Sequence, residues 1–132
     1  MALTRETVTA WLRAYVRAWE TYDPDAVAAL FTEDATYSYF PFDEPVRGRL
    51  AIVASWLEGN DPAGTYEADY KPVAIDGKLA VAQGRSRYFK DASKVELQRQ
   101  YDNLFLIEFD DHGRCRSFRE WYMRPRGQVE PT

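Results

Sequence analysis

Glu120 stands between Phe118 and Tyr122 at alternate positions of one segment. A carboxyl group among aromatic rings loses hydration, which favours its protonated form and prepares it to take and return a proton near neutral pH. The same setting suits a buried ion pair with Arg85, Arg87 or Arg99 that ties neighbouring strands together. Tyr101 and Asn103, two residues apart, could orient a ligand carbonyl or hydroxyl, or satisfy one another inside a core. Tyr15, Trp19, Tyr37, Tyr39 and Trp56 supply rings with polar tips, the materials of a pocket wall or of ordinary packing. Core packing is the simpler account for Trp19 and Trp56, although Trp56 also qualifies as a ligand contact.

Other chemistries lack their residues. The 132 residues include one histidine and one cysteine, so neither a His-rich metal centre, a Cys-rich zinc site nor an internal disulfide is expected. His112 falls in the turn Asp111-His112-Gly113, and Cys115 opens an apolar segment where a small packed residue fits. Glycine-rich phosphate loops, H-E-x-x-H and G-x-S-x-G are absent. Phe42-Asp43-Glu44-Pro45 reads as a solvated turn that could also guard a pocket mouth. Lys plus Arg total 17 and Asp plus Glu 21, a net charge of −4, which argues against binding nucleic acid through its phosphates. The first residues lack the apolar stretch of a secretion signal, and no run approaches the roughly 18 apolar residues of a membrane span. A cytoplasmic protein without metal, cofactor, membrane or nucleic-acid partner is expected.

The elements that must position these groups follow from periodicity. Val8, Trp11, Leu12, Tyr15, Val16, Trp19 and Tyr22 recur at steps of three and four, predicting a helix over 4–22 with Thr4 as its N-cap. Asp23-Pro24-Asp25 opens a short helix through Phe31. Residues 34–40 read as a strand, and 49–58 as a third helix closed by Gly59. From there the period changes to two. Strands are predicted near 65–75, 79–89, 96–109 and 115–124, with Asp76-Gly77 as a hairpin turn. One domain covers 1–125, and 126–132 form a frayed tail. Helices followed by hairpin-linked strands make the class α+β with a mostly antiparallel sheet.

Strand parity sorts the side chains. In 97–109 the odd face carries Leu97, Arg99, Tyr101, Asn103, Phe105, Ile107 and Phe109, which suits a core containing a pocket. The even face is mixed, and Leu104 and Leu106 there favour a dimer contact. In the last strand Phe118, Glu120 and Tyr122 share one face. Cys115, Ser117, Arg119, Trp121 and Met123 share the other.

The quoted residues now form an ordered set. A long aromatic helix precedes Tyr22-Asp23-Pro24-Asp25-Ala26-Val27 and Leu30-Phe31-Thr32-Glu33-Asp34-Ala35-Thr36. Arg47-Gly48-Arg49, Tyr101-Asp102-Asn103, Phe109-Asp110-Asp111-His112-Gly113-Arg114 and Glu120-Trp121-Tyr122 follow. Over about residues 5–124 this resembles the nuclear transport factor 2-like superfamily, in its SnoaL-like branch. The resemblance implies a cone-shaped curved sheet wrapped around the N-terminal helices, with a pocket in the open end. It also implies a homodimer through the outer sheet face. Members include ketosteroid isomerases, polyketide cyclases, dehydratases, epoxide hydrolases and non-catalytic binding modules, so fold alone does not choose. Tyr15 matches the oxyanion-hole tyrosine of the ketosteroid isomerases. Their base position falls on Tyr39 and their second donor on Phe105, so that chemistry is not expected. An epoxide-hydrolase relay is not expected either, because Asp102 faces away from Arg99 and Tyr101.

Two small-molecule functions remain open, beside a third reading as a protein–protein interaction module that uses the exposed sheet face with Leu104 and Leu106 and expects a monomer. One is a cofactor-free proton transfer (isomerisation, cyclisation or dehydration) on a small apolar oxygenated molecule. Glu120 and Tyr15 would be catalytic, and Tyr37, Tyr39, Trp56, Arg87, Tyr101, Asn103, Phe105 and Tyr122 would contact the ligand. The other is a non-catalytic ligand-binding or dimeric scaffold of the same fold, which expects a pocket filled by its own rings or lacking a free carboxylate.

Overall fold

Thr4 and Thr7 close a reciprocal capping box: the Thr7 backbone N–H donates to Thr4 Oγ1 at 3.1 Å, and the Thr4 N–H donates to Thr7 Oγ1 at 3.0 Å. They start helix α1 (Arg5–Thr21) in the computed structural model, which describes residues 2–130. The apolar stripe buries Val8, Trp11, Leu12, Tyr15 and Ala18. Tyr22 ends the helix in the left-handed region, φ 50°, with its N–H on the Ala18 carbonyl at 2.8 Å. Asp23 caps α2 (Pro24–Ala28).

The chain then enters β1 (Phe31–Ser38). Phe31, expected at the end of the second helix, is instead the first residue of this strand and is fully buried. Five helical residues suffice to turn the chain, and Phe31 gains more by meeting Trp11 edge-on across the core. A two-residue strand, β2 (Val46–Arg47), and helix α3 (Arg49–Glu58) follow. Four long strands complete the chain: β3 (Tyr66–Asp76), β4 (Leu79–Phe89), β5 (Leu97–Phe109) and β6 (Cys115–Met123).

The six strands form one sheet in the order β2-β1-β6-β5-β4-β3. Only β1 and β6 run parallel; the other neighbours are antiparallel. The architecture is α+β, a curved unclosed sheet holding α1 in its concave face. Small residues create that concavity. Ala80, Ala82, Gly84 and Ser86 of β4 lie opposite Ile107, Phe105, Asn103 and Tyr101 of β5, so large side chains from one strand fill the space left by the other. At Gly84 the strands press hardest. A Cβ there would lie 1.9 Å from the Asp69 carbonyl oxygen and 2.6 Å from Tyr70 Cδ1.

Bulges bend the sheet further, one between Pro72 and Ala74 of β3 and another where β5 meets the start of β6. At the second, Phe109 pairs with Cys115 and Glu108 with Ser117, leaving Arg116 as the extra residue. Cys115 is therefore turned into the core instead of sharing the outer face with Ser117 and Arg119. Burial raises its thiol pKa well above the ordinary range, so it is a packed side chain and no nucleophile.

The C-terminal residues 126–130, expected as a frayed tail, lie against the start of β5. Gln128 accepts from the Gln100 N–H at 2.9 Å and donates to the Gln100 carbonyl at 3.1 Å. Glu130 accepts from the Tyr101 hydroxyl at 2.5 Å. The tail pairs with the start of β5 because that end of the strand extends beyond β6. The expectations for Met1 and for 131–132 lie outside the described residues. Among the described residues no helix is long and apolar enough to cross a membrane.

Candidate active site

A cavity of about 330 Å³ opens between α1, α3 and the concave face of the sheet. Its deep end is made by Tyr15, Tyr37, Trp56 and Tyr70, all nearly enclosed, with Ser86 and Asn103 beside them. Its outer part is made by Trp19, Tyr22, Tyr39, Ser55, Gly59, Asp61 and Tyr88. Glu120 contributes a carboxyl group to the wall.

The strands determine how Glu120 is held. β5 and β6 are in regular register from Glu108↔Ser117 to Asp102↔Met123, so Asn103 and Glu120 share the inner face on adjacent strands. Asn103 Nδ2 donates to Glu120 Oε2 at 2.7 Å. Ser86, from β4 on the other side, donates to Asn103 Oδ1 at 3.0 Å. The hydroxyl occupies the amide oxygen and so directs the amide N–H toward the carboxyl group. Burial lifts the Glu120 pKa from the ordinary 4.5 to about 7, opposed by the Asn103 hydrogen bond.

The alternative of an ion pair does not match the geometry. Among the described residues no salt bridge reaches Glu120. Arg85 and Arg87 lie on the outer face of β4, where Arg85 meets Asp102 at 3.5 Å. Arg99 lies over the Tyr88 ring, 3.8 Å from its centroid, and donates to the Tyr101 hydroxyl at 3.3 Å. Arg87, expected as a ligand contact, is exposed and stands outside the cavity wall. Ser86 and Tyr88 face inward on β4, and alternation sends Arg87 to solvent.

The hydroxyl groups of Tyr15 and Tyr37 are 2.7 Å apart. Burial, above all, raises both pKa values well above the ordinary range, and the Glu120 charge adds to the effect. Both phenols therefore stay neutral: one donates to the other, and the second O–H is left to donate into the cavity. Burial, with the Glu120 charge next, raises Tyr70 well above its ordinary range too. Tyr39 bonds with Ser55 Oγ at 2.9 Å at the outer edge. The Trp56 ring packs edge-on against Tyr15, and its buried Nε1–H has no partner among the described residues.

Three expected contacts lie next to the cavity rather than in its wall. Phe105 is buried beneath it, packed against Tyr70 and Phe118. Tyr101 stands behind Tyr88, held by Arg99 and Glu130. Tyr122 meets Tyr101 edge-on and Phe40 at the exposed end of β6. Alternation placed all three on the correct face, but the cavity occupies only part of that face.

Sequence reasoning missed a second acid. Asp61 lies in the loop after α3, where its Oδ2 accepts from Trp19 Nε1 and from the Tyr22 hydroxyl, each at 3.2 Å. The Asp61 N–H returns a bond to the Tyr22 oxygen at 2.9 Å. Tyr66 fixes the same corner by stacking on Trp19 and donating to its carbonyl. Tyr70 was legible: alternation through Tyr66, Ala68, Tyr70 and Pro72 faces it inward. No group of three or more His, Cys, Asp or Glu among the described residues is placed to hold a metal ion.

A helix-filled curved sheet with an aromatic cavity at its open end defines the class: an α+β cone of the nuclear transport factor 2-like superfamily. The family model for the SnoaL-like domain matches residues 12–118, and the chain belongs to that family. No curated protein matches it.

Proposed function

We propose that the chain binds a small, mostly apolar molecule bearing one or two oxygens and moves a proton on it through Glu120. One observation carries the reading: a carboxyl group faces the cavity, held by Asn103, and no cation among the described residues pairs with it. Near pH 7 such a group is present in both ionisation states, the condition under which one residue both removes and returns a proton. The carboxylate takes a proton from carbon next to a ligand carbonyl. The Tyr15–Tyr37 pair donates to the oxygen on which negative charge develops. Glu120 then returns the proton to another carbon, giving isomerisation, or to a departing hydroxyl, giving dehydration. A binding-only protein is the second reading, but it expects a pocket filled by its own rings, and here the cavity stays open and holds the carboxyl group.

Solvent exchange tests the assignment. A panel of cyclic unsaturated ketones and β-hydroxy ketones is incubated with the protein in D2O, and loss of the proton next to the carbonyl is followed by NMR. The parent is expected to accelerate exchange, with a rate that rises with pH and levels off above about 7, because the ionised carboxylate is the base. No acceleration across the panel, or a pH-independent rate, removes Glu120 from this role.

The outer sheet face bears on assembly. Leu104 and Trp121 are direct cross-strand partners there and both are partly exposed, and Met123 lies beside them. We propose that a second copy of the chain covers this apolar strip. Sedimentation should give a dimer for the parent, and Leu104→Lys should shift it to a monomer with unchanged helix and strand content. A monomeric parent at high micromolar concentration refutes the pairing.

A further inference from the structure

The cavity wall is unbalanced in charge. It holds two carboxyl groups, Glu120 and Asp61, and no Lys, Arg or His. The same wall holds the rings of Trp19, Tyr22, Tyr39, Trp56, Tyr70 and Tyr88. Aromatic faces carry negative quadrupole potential and attract cations, most strongly where water is scarce. Arg99 lies over the Tyr88 ring, 3.8 Å from its centroid, without lining the cavity, so the ring faces left for a ligand cation are those of Trp19 and Tyr22.

Asp61 supplies the anionic partner. Its Oδ2 is committed to Trp19 and Tyr22, and among the described residues nothing donates to its Oδ1. The hydrogen bonds from Trp19 and Tyr22 hold both rings around the carboxylate, so an acid and two aromatic groups are fixed together at the outer part of the cavity. A neutral apolar ligand would cover this carboxylate and leave its second oxygen without a partner, which costs free energy beyond what the Trp19 and Tyr22 bonds return. An anionic ligand would be repelled by both acids.

We infer that the ligand carries a protonated or quaternary ammonium group, received at the Trp19–Tyr22–Asp61 corner while its oxygen-bearing part reaches Glu120. The inference rests on the proton-transfer reading for the second half of that placement. For the first half it rests only on the chemistry of the wall. Specificity then comes from the outer corner and reactivity from the deep end, and the two acids have separate tasks.

Three phenols of one shape test this: 4-(trimethylammonio)phenol, 4-tert-butylphenol and 4-hydroxybenzenesulfonate, with charges of plus one, zero and minus one on the para group. Titration calorimetry should rank them in that order, with the cation bound at least about 10-fold tighter than the neutral isostere. Asp61→Asn should erase most of that gap and leave 4-tert-butylphenol unchanged. The inference is overturned if the neutral compound or the sulfonate binds as tightly as the cation. Absence of cation binding at millimolar concentration, or an equal loss of cation and neutral binding in Asp61→Asn, overturns it too. Failure of the other reading is separable. A charge preference without ketone exchange refutes only proton transfer, and exchange without a charge preference refutes only the ammonium site.

Discussion

Glu120→Gln is expected to lose proton transfer by about 100- to 10,000-fold, the usual contribution of a positioned acid or base, while becoming the more stable protein at alkaline pH. Both effects have one origin. The folded chain holds the Glu120 proton up to about pH 7, whereas the unfolded chain releases it near 4.5. Below 4.5 both states are protonated and the contribution of this group to stability is fully present. As pH rises toward 7 the unfolded chain binds fewer protons than the folded one, so stability falls. Above about 7 both states are ionised and the loss is complete, on the order of 3 kcal/mol. Glutamine resembles the protonated acid at every pH and keeps the Asn103 contact. Urea unfolding at pH 5.5 and 8 should therefore show the variant gaining about 2 kcal/mol on the parent between those two conditions. A pH-independent difference means that Glu120 titrates as an ordinary surface acid, and the catalytic assignment fails with it.

Gly84→Ala is expected to be the most destabilising methyl group that can be added to this sheet. The new Cβ meets a backbone carbonyl oxygen at 1.9 Å, and no rotamer change moves a backbone atom. Either β3 separates from β4 around Asp69↔Arg85 and Tyr70↔Gly84, or Tyr70 leaves its place against Phe105. Overpacking in cores typically costs about 1–3 kcal/mol and sometimes more, and here backbone pairing is lost as well. A loss of at least about 3 kcal/mol in chemical unfolding is expected. Ala82→Gly, the reverse change two residues away, should cost about 1 kcal/mol. If Gly84→Ala costs no more than Ala82→Gly, the close approach of β3 and β4 does not limit the sheet.

How much of this was legible in the sequence depended on locality. The stripe on α1 and the alternation in β5 are local patterns, and they placed Tyr15, Asn103 and Glu120 around one space. Alternation failed at Cys115, where an extra residue in the bulge inverts the faces. Arg87 was chosen for its charge, as a partner for an acid, and its own strand parity pointed outward. Asp61 could not be found in this way. It belongs to no periodic element, and its partners Trp19 and Tyr22 are brought to it by the packing of α1 against the loop after α3. The docked tail was invisible for the same reason: Gln128 and Glu130 look like any polar terminus until β5 is beside them.

The parallel pairing of β1 with β6 also sets a timetable for synthesis. Thr36 must wait for Ser117, about 80 residues later, before it has a neighbour on that side. β6 is the last strand made, yet it sits in the interior of the sheet. Until it emerges from the ribosome, β1 and β5 present bare edges, Trp11 lacks its contact with Phe118, and the site lacks its acid. Non-local strand pairing of this kind is slow and leaves the nascent chain open to association. Premature termination before β6 therefore yields an aggregating fragment rather than a weakened protein, and a fused sequence that delays release of residues 115–123 should raise the demand for chaperones.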